Sequence, residues 1–169
     1  MKKLLIATLC ATAFTLTACD KKAADPATAP AAVISLSSNN VADIKSDLDA
    51  IDALAIAKSD QALASQDKMM EADQKKDKVM MSEAMQGMKA YIKDFNQELL
   101  ALKLKSTEVD ALRNKMDQQN KVTLEISDLS MSGSQDQSKM EMLGQSGIKL
   151  SEEIAKERKA LAAKVAEKK

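Results

Sequence analysis

The chain has 169 residues with 25 basic and 25 acidic side chains, so its formal net charge is zero. Histidine is absent, and the aromatic residues are Phe14, Tyr91 and Phe95. Balanced charge and few stacking platforms exclude a nucleic-acid binder, and the missing imidazole excludes Ser-His-Asp and Cys-His nucleophile pairs.

Met1-Lys2-Lys3 opens with positive charge, and Leu4 to Thr17 is apolar and uncharged. That run falls short of the roughly 20 residues a bilayer span needs. A basic head, a short apolar body and small residues before a cut site make a secretory signal over residues 1–18. Leu16-Thr17-Ala18-Cys19 closes the run. This motif resembles the lipobox of bacterial lipoprotein precursors. The resemblance implies cleavage between Ala18 and Cys19, a thioether-linked diacylglycerol on Cys19, and acylation of the new amine. Each buried methylene contributes about 0.8 kcal/mol, and two or more acyl chains give stable anchoring. The polypeptide would then need no membrane-spanning segment. Cys10 follows bulky Leu9 inside the apolar body and is read as inert. With Cys19 lipidated, no disulfide and no thiolate zinc site can form within one chain.

Asp20 follows the anchor. In enteric relatives an aspartate there resembles an inner-membrane retention signal, a rule other bacteria do not follow. The expected address is the cell envelope, lipid-anchored and facing the periplasm, with the outer membrane preferred. Removing Lys2 and Lys3 leaves 23 basic against 25 acidic side chains, a net charge of −2.

Residues 19–40 read as the lipidated cysteine and a flexible linker rich in Ala, Pro, Ser and Asn. Pro26 and Pro30 are the chain's two prolines. A coil of this length reaches about 25 Å. Val33-Ile34-Ser35-Leu36 is a short apolar run that could dock on the domain.

Residues 41–169 predict an all-α domain. Asn40 suits an N-cap, with Asp43 in the first turn. Val41, Leu48, Ala55, Ala62 and Met69 recur every seven residues, with Ile44 and Ile51 beside them. Met81, Met88, Phe95 and Leu102 repeat likewise, with Met85, Ile92 and Leu99 between. Val109, Leu112, Met116, Val122, Ile126 and Leu129 form a third set; Met140, Leu143, Leu150, Ile154, Leu161 and Val165 form a fourth. Such stripes are a and d positions. Breaks fall at Glu71–Lys78, which a helix could also cross, at Lys105-Ser106-Thr107 and at Ser130–Ser134. Thr107 with Asp110 resembles a capping box. The expected architecture is an antiparallel bundle of three or four helices with heptad packing. The alternative is a long helical hairpin with a polar waist.

Candidate chemistry is sparse. Ser65-x-x-Lys68 and Ser146-x-x-Lys149 lack the companion motifs of penicillin-binding proteins. Paired carboxylates such as Asp47/Asp49 and Glu152-Glu153 read as surface charge, and Glu71–Lys75 as a helix ion pair. No catalytic residue and no cofactor are expected. Met81, Met85 and Met88 share a helical face, so three thioethers could meet a soft ion such as Cu(I). The same positions suit a core filled by adaptable methionines.

The chain ends Ala166-Glu167-Lys168-Lys169. A lipidated cysteine, Ser37-Ser38-Asn39-Asn40 before Val41-Ala42-Asp43-Ile44, heptad helices and a terminal lysine together resemble Braun-type major outer-membrane lipoproteins. That resemblance implies a peptidoglycan bond at the Lys169 ε-amine. The functional expectation is a lipid-anchored, non-catalytic envelope lipoprotein. Its helical domain would be structural or bind a partner, which could be peptidoglycan or another envelope protein. The alternative is a methionine-based periplasmic Cu(I) binder.

Overall fold

A computed structural model describes residues 35–133 and 136–167. Within them lie five helices: α1 (Val41–Ala57), α2 (Ser59–Lys75), α3 (Lys78–Ala101), α4 (Thr107–Met131) and α5 (Gln137–Ala166). No strand occurs among the described residues; one isolated bridge joins Ser37 to Ser106. The all-α bundle expected from the heptads is the fold, and its first helical stretch is divided in two.

Asn40 caps α1 as expected, its side chain accepting from the Ala42 and Asp43 amides. The division of α1 from α2 falls at Lys58, whose backbone sits at φ −100° and ψ 0°. Ser59 Oγ donates to the Ile56 carbonyl at 2.7 Å. Lys58 then holds Asp94 and Glu98 of α3, each at 2.6 Å. The stripe shifts here: Leu54 is buried, while Ala55 is exposed.

Within the Glu71–Lys78 stretch α2 runs on to Lys75, and a tight turn at Lys76 and Asp77 replaces a through-going helix. Lys76 adopts the left-handed conformation at φ 52°, and its amide bonds back to Asp73. Asp77 caps α3 by accepting from Val79 and Met80. A second turn, around Ser132 and Gly133, separates α4 from α5. Lys78, Met81, Ser130 and Met131 line one depression, so both turns lie at the same end of the molecule, here called distal.

The proximal end is built differently. There α1 packs on α3, α4 and α5 and closes a four-helix arrangement. Its core is Ile44, Ile51, Leu54, Leu99, Leu104, Val109, Leu112 and Leu161, with Phe95, Met116 and Val165 packed against them. Beyond Lys58 the backbone of α2 approaches only α3 and the end of α1; it meets neither α4 nor α5. The distal half therefore stands open on one side. Its buried positions are few and mostly small: Ala72, Ala84, Gly147, Leu143 and Ile92. At Gly147 an added Cβ would lie 3.6 Å from Val122 Cγ1, so α4 and α5 run close there.

A polar layer lies between the halves. Asn96 Nδ2 donates to Asp117 at 2.8 Å, Asn120 Nδ2 donates to Asn96 Oδ1 at 2.9 Å, and Lys121 pairs with the other Asp117 oxygen at 2.7 Å. Burial pushes the Asp117 carboxyl up, but the bonds from Asn96 and Lys121 outweigh it and hold it below its ordinary range. A satisfied polar layer fixes the register between α3 and α4 more than it adds stability.

Candidate functional site

Three features stand out: a buried polar anchor at the proximal end, the arrangement of the two chain ends, and a methionine-lined groove at the distal end.

Asp47 is the anchor. It sits three residues after Ile44 and four before Ile51, on the buried face of α1, and is only 2% exposed. One oxygen, Oδ2, accepts from the Lys105 amide at 2.8 Å, the Ser106 amide at 2.7 Å and Ser106 Oγ at 2.7 Å. Ser106 is the N-cap residue of α4 but makes no local capping bond. Its hydroxyl is turned to Asp47 instead. The Thr107/Asp110 box expected from sequence does not form: Thr107 Oγ1 meets Glu108, and Asp110 pairs with Arg113. Arg113 also donates to the Leu102 carbonyl at 2.8 Å, closing the end of α3. Asp47 is thus not the surface charge its sequence suggested. Its place three and four residues from buried isoleucines was the available signal.

The incoming chain is fastened at the same place. The Ser37 amide donates to the Lys105 carbonyl at 2.7 Å, and the Thr107 amide donates to the Ser37 carbonyl at 2.9 Å. Ser37 Oγ adds a bond to Asp43 at 2.7 Å. The Asn39 amide donates to Glu108 at 2.7 Å and is the main reason that carboxyl lies below its ordinary range. Lys164, near the end of α5, reaches both Asn39 Oδ1 and Glu108. The chain therefore enters and leaves the helical bundle at its proximal end. Ala18, Cys19 and Lys169 lie outside the described residues.

The distal groove is lined by Met69 of α2, Met85, Met88 and Ile92 of α3, and Thr123, Ile126, Ser127 and Ser130 of α4. Its volume is about 180 Å³. The open side of the bundle creates it, because α2 leans on α3 without reaching α4. Of the three methionines singled out by sequence, Met85 and Met88 share this groove. Met81 lines neighbouring depressions, one with Met69 and Met70 and one with Met85 and Met131. The third thioether of the groove is Met69, which comes from another helix and could not be placed by spacing within α3. Among the described residues, no cluster of three or more Cys, Asp or Glu side chains could hold a metal ion.

The other candidates fall on the surface. Ser65 Oγ donates to the Gln61 carbonyl at 2.9 Å, the usual destination of a mid-helix hydroxyl. Ser146 and Lys149 are exposed. Glu71 and Lys75 pair at 2.6 Å as expected. Glu153 pairs with Lys115 at 3.6 Å across α4 and α5. Among the described residues no helix is long and apolar enough to cross a membrane.

One family model, described as "Uncharacterised lipoprotein PM1805", matches residues 45–166, which hold nearly all of the helical bundle. No curated protein and no solved structure matches the chain.

Proposed function

The chain belongs to this lipoprotein family, and from that premise we propose a non-catalytic envelope protein, anchored by lipid on Cys19, whose helical domain holds an apolar surface of a partner. The observation that carries this reading is the molecule's polarity. The proximal end receives the tether and is fixed by the full core and by Asp47. The distal end presents a groove lined by flexible thioethers. Methionine surfaces of this kind adapt to apolar partners, since the side chain is unbranched and polarizable.

Two measurements test the parts separately. Intact mass of the membrane-extracted protein should show loss of residues 1–18 and addition of acyl chains. Unmodified Cys19 thiol would end the anchoring reading. For the groove, a photoreactive residue at Met88 should give a discrete adduct in native envelopes, and one at proximal Lys45 should not. Equal labelling from both positions would remove the groove from the proposal.

A wall bond through Lys169 is the finer part of this reading. Digestion of purified sacculi should then yield a C-terminal peptide joined to a muropeptide, and its absence in cells that express the protein would remove the tether.

The convergence of Met69, Met85 and Met88 favours a second reading, a Cu(I) site. Soft thioethers suit that ion. Replacing all three by leucine nearly conserves volume and costs under about 1.5 kcal/mol per site. If copper is the ligand, sub-micromolar Cu(I) binding disappears in this variant while helicity persists. Absence of such binding in the wild type ends the copper reading.

A further inference from the structure

The thioethers of this chain are gathered in one half of the bundle. Of the eleven methionines, two lie on α2, four on the first half of α3, one at the end of α4 and two near the start of α5. All nine stand on the distal side of the Asn96–Asp117 layer. Met1 belongs to the leader, and Met116 packs against the proximal core. The buried residues of that core are Ile, Leu and Val alone.

The distal sulfurs can be reached from solvent. Met70 and Met142 are 50% and 62% exposed. Met69, Met85 and Met88 line the open groove, and Met81 lines two depressions beside it. Cysteine, tryptophan and histidine, which would compete with a thioether for an oxidant, are absent from residues 35–167. Susceptibility to oxidation follows exposure, so an oxidant meeting this domain is directed to its distal half.

Oxidation changes what the groove can hold. A thioether is apolar, whereas a sulfoxide is polar, and its oxygen calls for a hydrogen-bond donor. Thr123 Oγ1 already donates to the Gln119 carbonyl at 3.0 Å, and Ser130 Oγ donates to the Ile126 carbonyl at 2.9 Å. Those two hydroxyl protons are engaged. Water must then enter to satisfy the new oxygen, because a polar group left unpaired against apolar surface is costly. A hydrated groove no longer holds an apolar partner.

We propose that the distal methionines are an oxidation site. Sulfoxides at Met69, Met85 and Met88 expel the apolar partner, while the proximal core keeps the domain folded. The oxidant is a two-electron oxygen donor of the peroxide class. With hydrogen peroxide, the sulfur lone pair attacks one oxygen and forms the S–O bond. The O–O bond breaks, and its electron pair leaves on the other oxygen. The proton of the transferred hydroxyl passes to that oxygen, so water departs. Sulfur loses two electrons and the peroxide gains them. The release step rests on the groove being the partner's seat; the oxidation step rests only on where the sulfurs lie.

The test treats the full-length protein in native membranes with hydrogen peroxide and maps added oxygen by peptide mass. Sulfoxide is expected first at Met70 and Met142, then at Met69, Met85 and Met88, with Met116 several-fold slower. Helical circular dichroism of the extracted protein should be retained. Met116 oxidising as fast as the groove methionines, or helicity lost with the first sulfoxides, would overturn the oxidation site. Release is read with a photoreactive residue at Ile126 in the groove wall. Its adduct should fall several-fold after peroxide, and should persist in the Met69→Leu, Met85→Leu, Met88→Leu background, which also shows that the partner itself is undamaged. An adduct that survives peroxide with the three methionines in place, or that the leucine variant loses equally, would overturn the release. No adduct before peroxide would sink the partner reading and the release with it, whereas the sulfoxide map decides the oxidation site in either case.

Discussion

Removal of the Asp47 carboxylate is expected to be the most damaging single polar change in the domain. Three donors converge on Oδ2 within 2.7–2.8 Å. Ser106 is fully buried, so in Asp47→Ala its amide and hydroxyl lose their partner with no access to water. The Lys105 amide is only part-buried and can be rehydrated. An unsatisfied buried group costs about 1–3 kcal/mol. Two such groups, plus the small cavity, give a loss of about 3–5 kcal/mol, a large part of the 5–15 kcal/mol typical of a domain. Asp47→Asn keeps an acceptor oxygen and loses only the charge assistance, so about 1–2 kcal/mol is expected. Asp49 is the control: its pair with Lys45 is exposed on both sides, and Asp49→Ala should cost under about 0.5 kcal/mol. Urea unfolding of residues 35–169, which contain the whole described core, followed by helical circular dichroism, reads all three. If Asp47→Ala matches Asp49→Ala to within about 0.5 kcal/mol, the convergence of donors on Asp47 does not hold this end together.

Gly147→Ala should stabilise by about 0.5–1 kcal/mol, because helix propensity improves and the new methyl meets Val122 at an ordinary 3.6 Å; Gly147→Leu should instead destabilise by about 1–3 kcal/mol through overpacking. Thermal melts of the two variants must differ in sign. Lys76 is non-glycine at φ 52°, so Lys76→Gly should gain up to about 1 kcal/mol and Lys76→Ile should lose more than that; equal midpoints in urea would contradict the turn. The Glu108 carboxyl is lowered in the folded state, chiefly by the Asn39 amide. Its contribution is therefore present above the unfolded value of about 4.3 and lost as pH falls through the folded one. Glu108→Gln should flatten stability against pH between about 3 and 5; an unchanged acid limb would mean that this contact does not form in solution.

Much of the architecture was readable before any coordinates. Heptad spacing placed Ile44, Ile51, Ile92, Leu99, Val109, Leu112, Leu143 and Leu161 on inward faces, and all are buried. Asn40 announced the first cap because a side-chain acceptor before an apolar stripe has few other uses. The leader and lipobox readings rest on equally local patterns, and the family that matches residues 45–166 supports the coarser reading of a lipoprotein. Capping, periodicity and signal patterns act over a few neighbouring residues, so a linear string suffices to carry them.

What the string could not carry is which helix lies against which. At the division between α1 and α2, Lys58 meets two carboxylates on another helix. Asp47 counts as buried only because the α3–α4 connection passes over it, 58 and 59 residues away. Met69 joins Met85 and Met88 only because α2 folds back on α3 and stops short of α4. Sequence period fixes the direction a side chain takes from its own helix, whereas the groove, the anchor and the open side depend on distances between helices, and those are set by packing among residues far apart along the chain.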